Sequence, residues 1–83
     1  MNWDRRLILD ALDSNLLPPT EFMSRDISKI IQVEKGEVVS SKTVGKYLPS
    51  LIRLHNYPYV RERDNNTKTY VFRLKSNNVY AQL

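Results

Sequence analysis

Residues 40–74 read SSKTVGKYLPSLIRLHNYPYVRERDNNTKTYVFRL, and a change of period inside this stretch decides the fold. The first half repeats every three to four residues, as a helix from 40 to 55 requires. Val44, Leu48 and Leu51, with Tyr47 beside them, fall on its buried face. Lys42, Thr43, Lys46, Ser50 and Arg53 fall on the opposite face. Ser40 is a strong N-cap, and Val39 and Val44 stand at the two positions of a hydrophobic staple. At the far end His55 meets the negative end of the helix dipole, Asn56 suits a left-handed conformation, and Pro58 follows. The second half repeats every two residues. Tyr70, Phe72 and Leu74 alternate with Val71 and Arg73, so 59–63 and 68–74 form a hairpin. Asp64-Asn65-Asn66-Thr67 is its turn, because asparagine tolerates positive φ.

Two features of this stretch stay open. Pro49 lies inside the helix, where it loses a hydrogen bond and crowds the carbonyl of residue 45. Residue 45 is glycine and Leu48 is a poor cap for a fresh helix, so the expectation is a kink and not a break. The hairpin register is the second. If Val60 lies near Phe72, then Val60, Tyr70 and Phe72 face the helices while Arg61, Arg63, Val71 and Arg73 face away. A one-residue slip turns Arg61 and Arg63 over.

Working back towards the N-terminus, residues 3–15 carry Trp3, Leu7, Ile8, Ala11 and Leu12 at helical spacing, with Asn2 as cap and Asp4 in the first turn. Trp3 is expected to pack this helix onto the body. Pro18-Pro19 bars further helix, and residues 17–22 admit a short extended piece. A second helix is expected over 24–32, capped by Ser24, with Ile27, Ile30 and Ile31 buried and Arg25, Ser28 and Lys29 outward. Gly36 marks the turn that follows. Tyr47, Tyr57, Tyr59 and Tyr70 read as core or core-edge residues. The tail 75–83 either frays or docks through Val79, Tyr80 and Leu83.

With 83 residues, 41% hydrophobic and 27% charged, the chain reads as one globular α+β domain, three helices followed by a β-hairpin. It has no cysteine and one histidine, which excludes a disulfide framework, a thiolate metal site and a histidine-rich one. The only glycines, Gly36 and Gly45, form no phosphate loop, and no carboxylate pairs with a candidate nucleophile. A protein that is not an enzyme, without cofactor, metal or evident small-molecule ligand, is expected. No stretch reaches the ~20 apolar residues that span a bilayer, and the N-terminus lacks the pattern of a signal peptide. No membrane role and a cytoplasmic location follow as expectations. Charge is unevenly distributed within the net +4. Residues 1–37 hold five basic and seven acidic side chains, and residues 38–83 hold eight basic ones against Glu62 and Asp64. A basic half joined to an acidic half points to a surface that meets a polyanion.

Ser24-Arg25-Asp26-Ile27-Ser28-Lys29-Ile30-Ile31, Ser40-Ser41-Lys42-Thr43-Val44-Gly45-Lys46-Tyr47-Leu48 and the hairpin Tyr59-Val60-Arg61-Glu62-Arg63 to Thr69-Tyr70-Val71-Phe72-Arg73-Leu74 together resemble the winged helix-turn-helix family over nearly the whole chain. The pattern departs from the family's at Pro49 and at the long turn from Gln32 to Val39. The resemblance implies a regulator that binds double-stranded DNA in the nucleoid, with the third helix in the major groove and the hairpin on the adjacent minor groove or backbone. The residues agree with that. Lys42, Thr43 and Lys46 suit base edges, and Ser41 and the free N–H groups of the helix start suit a phosphate. Gly45 is small enough for a close approach to the DNA backbone. Ser50 and Arg53 lie further along towards phosphate, Arg61, Arg63 and Lys68 are the hairpin contacts, and Arg25 is a further phosphate candidate. A homodimer through the first helix and the tail would pair half-sites.

Other readings of the same residues remain. Lys42, Lys46 and Arg53 also suit a plain solvated helix face, and Arg61 and Arg63 suit edge-strand charges that discourage sheet-to-sheet association. An exposed apolar patch of Leu16, Leu17, Phe22 and Val79 would favour a protein-interaction module, and non-specific DNA packaging or a replication role is a third possibility.

Overall fold

The computed structural model describes residues 3–75. Its elements run α1 (Trp3–Leu12), β1 (Glu21–Phe22), α2 (Ser24–Lys35), α3 (Ser41–Leu54), β2 (Tyr59–Asp64) and β3 (Thr69–Leu74). The strands form one antiparallel sheet in the order β1-β3-β2, so β3 is central. The architecture is α+β, three helices and a three-stranded sheet built around the C-terminal hairpin.

One core joins both layers. Leu7, Ile8, Ala11 and Leu12 of α1 meet Ile27, Ile30 and Ile31 of α2 and Val44, Leu48, Leu51 and Ile52 of α3. Phe22 and Phe72 bring the sheet into the same cluster, their rings stacked at 5.5 Å, and Tyr59 meets Phe22 edge-on at 4.9 Å. Aromatic pairs in such geometry add to the area they bury. Tyr47, Tyr57 and Tyr59 pack against the edge of this core, whereas Trp3 is 57% exposed and does not fix α1 to the body as expected.

The helix ends explain themselves locally. α1 stops at Leu12, short of residue 15, where a turn precedes the two prolines. α2 runs on to Lys35 and ends in Gly36, whose φ of 68° is the left-handed conformation that glycine accepts without strain. Its cap is Met23 and not Ser24. The Asp26 carboxylate reaches back to accept from the Met23 N–H at 2.8 Å, which satisfies the chain entry from the third helical position. Ser28 then donates to the Val39 carbonyl and ties the α2–α3 connection down. At α3, Ser40 Oγ accepts from Thr43 N at 3.1 Å, and Val39 and Val44 are both buried. α3 continues unbroken through Pro49, and Asn56 beyond its end takes φ 56°.

The hairpin settles its register differently from the first pairing considered. Arg61 lies opposite Phe72, Arg63 opposite Tyr70, and Val60 opposite Arg73. Residues opposite one another share a sheet face. Tyr59, Arg61, Arg63, Tyr70 and Phe72 therefore share the face turned towards the helices, and Val60, Glu62, Val71 and Arg73 share the outer face. For β3 the expected faces hold, but for β2 every side chain is turned over. The turn contributes to this outcome. Asp64 Oδ1 accepts from Asn66 N at 2.9 Å, and the residue with positive φ is Lys68 at 58°, not either asparagine.

Candidate nucleic-acid interface

The register gives the two faces of the hairpin different electrostatics. On the outer face Arg73 is held by Glu21 at 3.1 Å and Glu62 at 3.0 Å, so its charge is matched by neighbours. On the inner face Arg61 and Arg63 form no ion pair among the described residues. They lie instead over the Tyr70 ring, with guanidinium carbons 4.5 and 5.9 Å from its centre. Tyr70 is 47% exposed, so it belongs to the surface and not to the core edge where the sequence suggested it.

This inner face opens towards α3. One groove is lined by Met23, Ser24, Gly45, Arg61, Thr69, Tyr70 and Phe72, which joins the start of α2, the start of α3 and the hairpin. A second lies further along α3, where Pro49, Arg53, Asn56, Tyr57, Arg61 and Lys75 are among its walls. Arg61 lines both. Gly45 has a structural reason to be small: a Cβ there would sit 3.3 Å from Ser24 Oγ. Its lack of a side chain serves the approach of α3 to α2.

Lys42 and Lys46 are exposed on the face of α3 that turns away from Val44 and Leu48, and Arg53 is exposed two turns further on. Ser41 is exposed at the helix start. Thr43 is half-buried, with its hydroxyl taking a 3.0 Å bond from Ser40, and Ser50 donates to the Tyr47 carbonyl at 3.1 Å. Those two hydroxyls are thus engaged locally. Arg25 is exposed immediately after Ser24, which lines the first groove. Lys68 stands apart from the grooves, at the hairpin turn. Among the described residues, Arg25, Lys42, Lys46, Arg53, Arg61, Arg63 and Lys68 enter no ion pair, while Arg6 and Lys35 are paired with Asp10 on the α1–α2 side.

The chain matches no protein-family model, no curated protein and no solved structure. Its function therefore has to be read from the arrangement of its own residues. Sequence reasoning passed over four of them. Tyr70 and Lys75 belong to the grooves, and on the other side of α3 the ring of Tyr47 carries Arg5 at 5.1 Å and Lys46 at 5.6 Å. A correct hairpin register would have exposed Tyr70, because it places the ring beside two arginines. Arg5 gives no such signal, since it reaches the site only through the packing of α1 on α3.

No group of three or more histidines or carboxylates that could hold a metal occurs among the described residues. No helix there is long and apolar enough to cross a membrane.

Proposed function

We propose that this protein binds double-stranded DNA as a winged helix-turn-helix domain, with α3 in the major groove and the β2–β3 hairpin against the adjacent minor groove or backbone. The observation that carries the reading is that cations outside any ion pair among the described residues stand on two elements, the start of α3 and the hairpin whose groove reaches Gly45 of that helix. Lys42 and Lys46 project from the start of α3, and Arg61 and Arg63 project from the hairpin face that opens towards it. A helix fits the major groove of B-DNA, and a lysine there can donate to guanine O6 or N7. Arginines beside it neutralise phosphates and fix the helix in register. The protein acts on this reading as a sequence-specific transcription regulator in the nucleoid, binding without catalysis, and pairing of two copies multiplies the affinity of a small interface.

Fluorescence-anisotropy titration of a labelled random duplex across a salt series tests it. Each neutralised phosphate releases counterions, so affinity falls steeply as salt rises. Binding that is absent at ~50 mM salt, or indifferent to salt, refutes the proposal. Selection of bound duplexes from a random pool then separates sequence-specific control from non-specific packaging, and a palindromic consensus indicates a dimer.

A second reading has one observation in its favour. Leu16, Pro18, Ile30 and Val33 line an apolar groove along α2, with Leu16 53% and Val33 64% exposed. This is the kind of surface a protein partner covers. It differs from the patch the sequence suggested, because Phe22 is buried and Val79 lies outside the described residues.

A further inference from the structure

Two tyrosines in this surface each carry two cations, and we propose that Tyr70 and Tyr47 are positioning residues that preset Arg61, Arg63, Lys46 and Arg5 as phosphate contacts on both flanks of α3. The inference rests on the DNA-binding reading above and adds α1 to the surface that meets the duplex.

The hairpin pair follows from strand geometry. Arg61 and Arg63 are two residues apart on β2 and so point to the same side, and Tyr70 stands directly opposite Arg63 with Arg61 on the diagonal. One ring can then serve both guanidinium groups, at 4.5 and 5.9 Å from its centre. The second pair follows from helix geometry. Gly45 faces Ser24 and the hairpin groove. Tyr47 comes two residues later, ~200° further round the helix, which turns it to the opposite flank. There it meets Arg5 of α1 at 5.1 Å, and Lys46, between the two flanks in sequence, reaches the same ring at 5.6 Å.

A long basic side chain in water samples many rotamers, and fixing it on a phosphate costs entropy at the moment of binding. A tyrosine face attracts the cation through its quadrupole and supplies apolar surface for the side-chain stem. Over Tyr70 the edges of the Arg61 and Arg63 guanidinium groups stay open to hydrogen-bond a phosphate oxygen. The ring itself carries no charge, so it changes affinity without changing how many phosphates are neutralised. That distinction separates a positioning residue from a direct ionic contact.

The test is the salt-series titration with the full chain and a fixed duplex, each variant being checked for cooperative thermal unfolding. Tyr70→Leu weakens binding roughly three- to tenfold while the slope of log affinity on log salt is unchanged. Tyr70→Phe, which keeps the ring, binds like the parent. Tyr70→Thr keeps strand propensity and repeats the Leu result independently of how Leu packs. Arg5→Gln weakens binding and lowers the slope by about one, as loss of one neutralised phosphate requires. If Tyr70→Leu and Tyr70→Thr bind like the parent, or if Tyr70→Phe loses as much as Leu, the positioning role is overturned. An Arg5→Gln slope equal to the parent's removes the α1 flank. Failure of the parent protein to bind any duplex overturns the DNA reading itself, and this inference with it.

Discussion

The Tyr57 hydroxyl donates a 2.9 Å hydrogen bond to Asp13 Oδ1, joining the chain just after α3 to the chain just after α1. Tyr57 also packs on the core edge and stacks with Tyr59 at 6.4 Å. Burial, then the hydrogen bond to Asp13 and the negative charge of that carboxylate, push the phenol up to about 12 from its usual 10.0. A group whose pKa is higher in the folded state stabilises fully below its unfolded value. That contribution is lost as pH rises through the folded value. Stability is therefore expected to fall as pH climbs from 10.0 towards about 12. Tyr57→Phe lowers stability at neutral pH by about 0.5–1.5 kcal/mol, the usual worth of one hydrogen bond. It also flattens the alkaline limb. Denaturant unfolding of both proteins at a series of pH values checks this, and an equally steep limb in the Phe variant refutes it.

The entry to α3 depends on Ser40. Its hydroxyl accepts from Thr43 N at 3.1 Å, and Val39 beside it is buried against the core. Ser40→Ala leaves that N–H without its partner and is expected to cost about 1 kcal/mol of stability. Ser40→Asp restores an acceptor and adds a favourable charge at the positive end of the dipole, so it recovers the loss. The Asp variant is expected to weaken DNA binding even so, because it places a negative charge next to Ser41 and Lys42. Thermal unfolding and anisotropy on the same two variants separate these effects. Stability and binding moving together in both would show that the cap has no electrostatic part in the site.

What the sequence made legible follows where burial is strong. β3 was readable because Phe72 must be buried and its neighbours alternate around it. The third helix was readable because Ser40, Val39 and Val44 mark its start together. β2 was not, since Val60 is its only aliphatic residue beside Arg61, Glu62 and Arg63, and nothing in that run prefers one face decisively. Its register is set from outside, by a turn in which Lys68 takes the left-handed conformation. The α2 cap was misplaced for a similar reason. Ser24 is the better cap by residue type, but Asp26 closing on Met23 starts the helix one residue earlier. The consequence for the candidate site is large, because turning β2 over moves Arg61 and Arg63 from the outer face to the face of Tyr70, and brings Arg61 into the groove beside α3.

Gly45 offers a test of the α2–α3 contact. A helical glycine costs about 1 kcal/mol relative to alanine. Against that gain, the new Cβ would meet Ser24 Oγ at 3.3 Å, tighter than ordinary contact. The Ser24 hydroxyl makes no hydrogen bond among the described residues, so it can rotate away. Gly45→Ala is therefore expected to stabilise the fold by about 0.5 kcal/mol, and in a Ser24→Ala background by the full ~1 kcal/mol. Thermal unfolding of the four proteins in the cycle measures the coupling. A loss of stability in the Ser24→Ala background would mean that the backbone, and not the hydroxyl, sets the spacing.

Arg63→Ala and Arg73→Ala remove the same charge from the same hairpin, on opposite faces. Arg63 lies on the face open to α3, and Arg73 is held between Glu21 and Glu62 on the other. At physiological salt the screening length is ~8 Å, so a charge change on the far face acts weakly on a bound phosphate. Arg63→Ala is expected to weaken binding to all duplexes alike and to lower the salt slope by about one. Arg73→Ala is expected to leave the slope in place. Lys46→Ala gives a third signature, a loss of about 1–3 kcal/mol confined to a preferred sequence, because a lysine in the major groove reads a base edge. Equal slopes for Arg63→Ala and Arg73→Ala would detach the inner face of the hairpin from the interface. A sequence-independent loss at Lys46 would move α3 from reading bases to gripping the backbone.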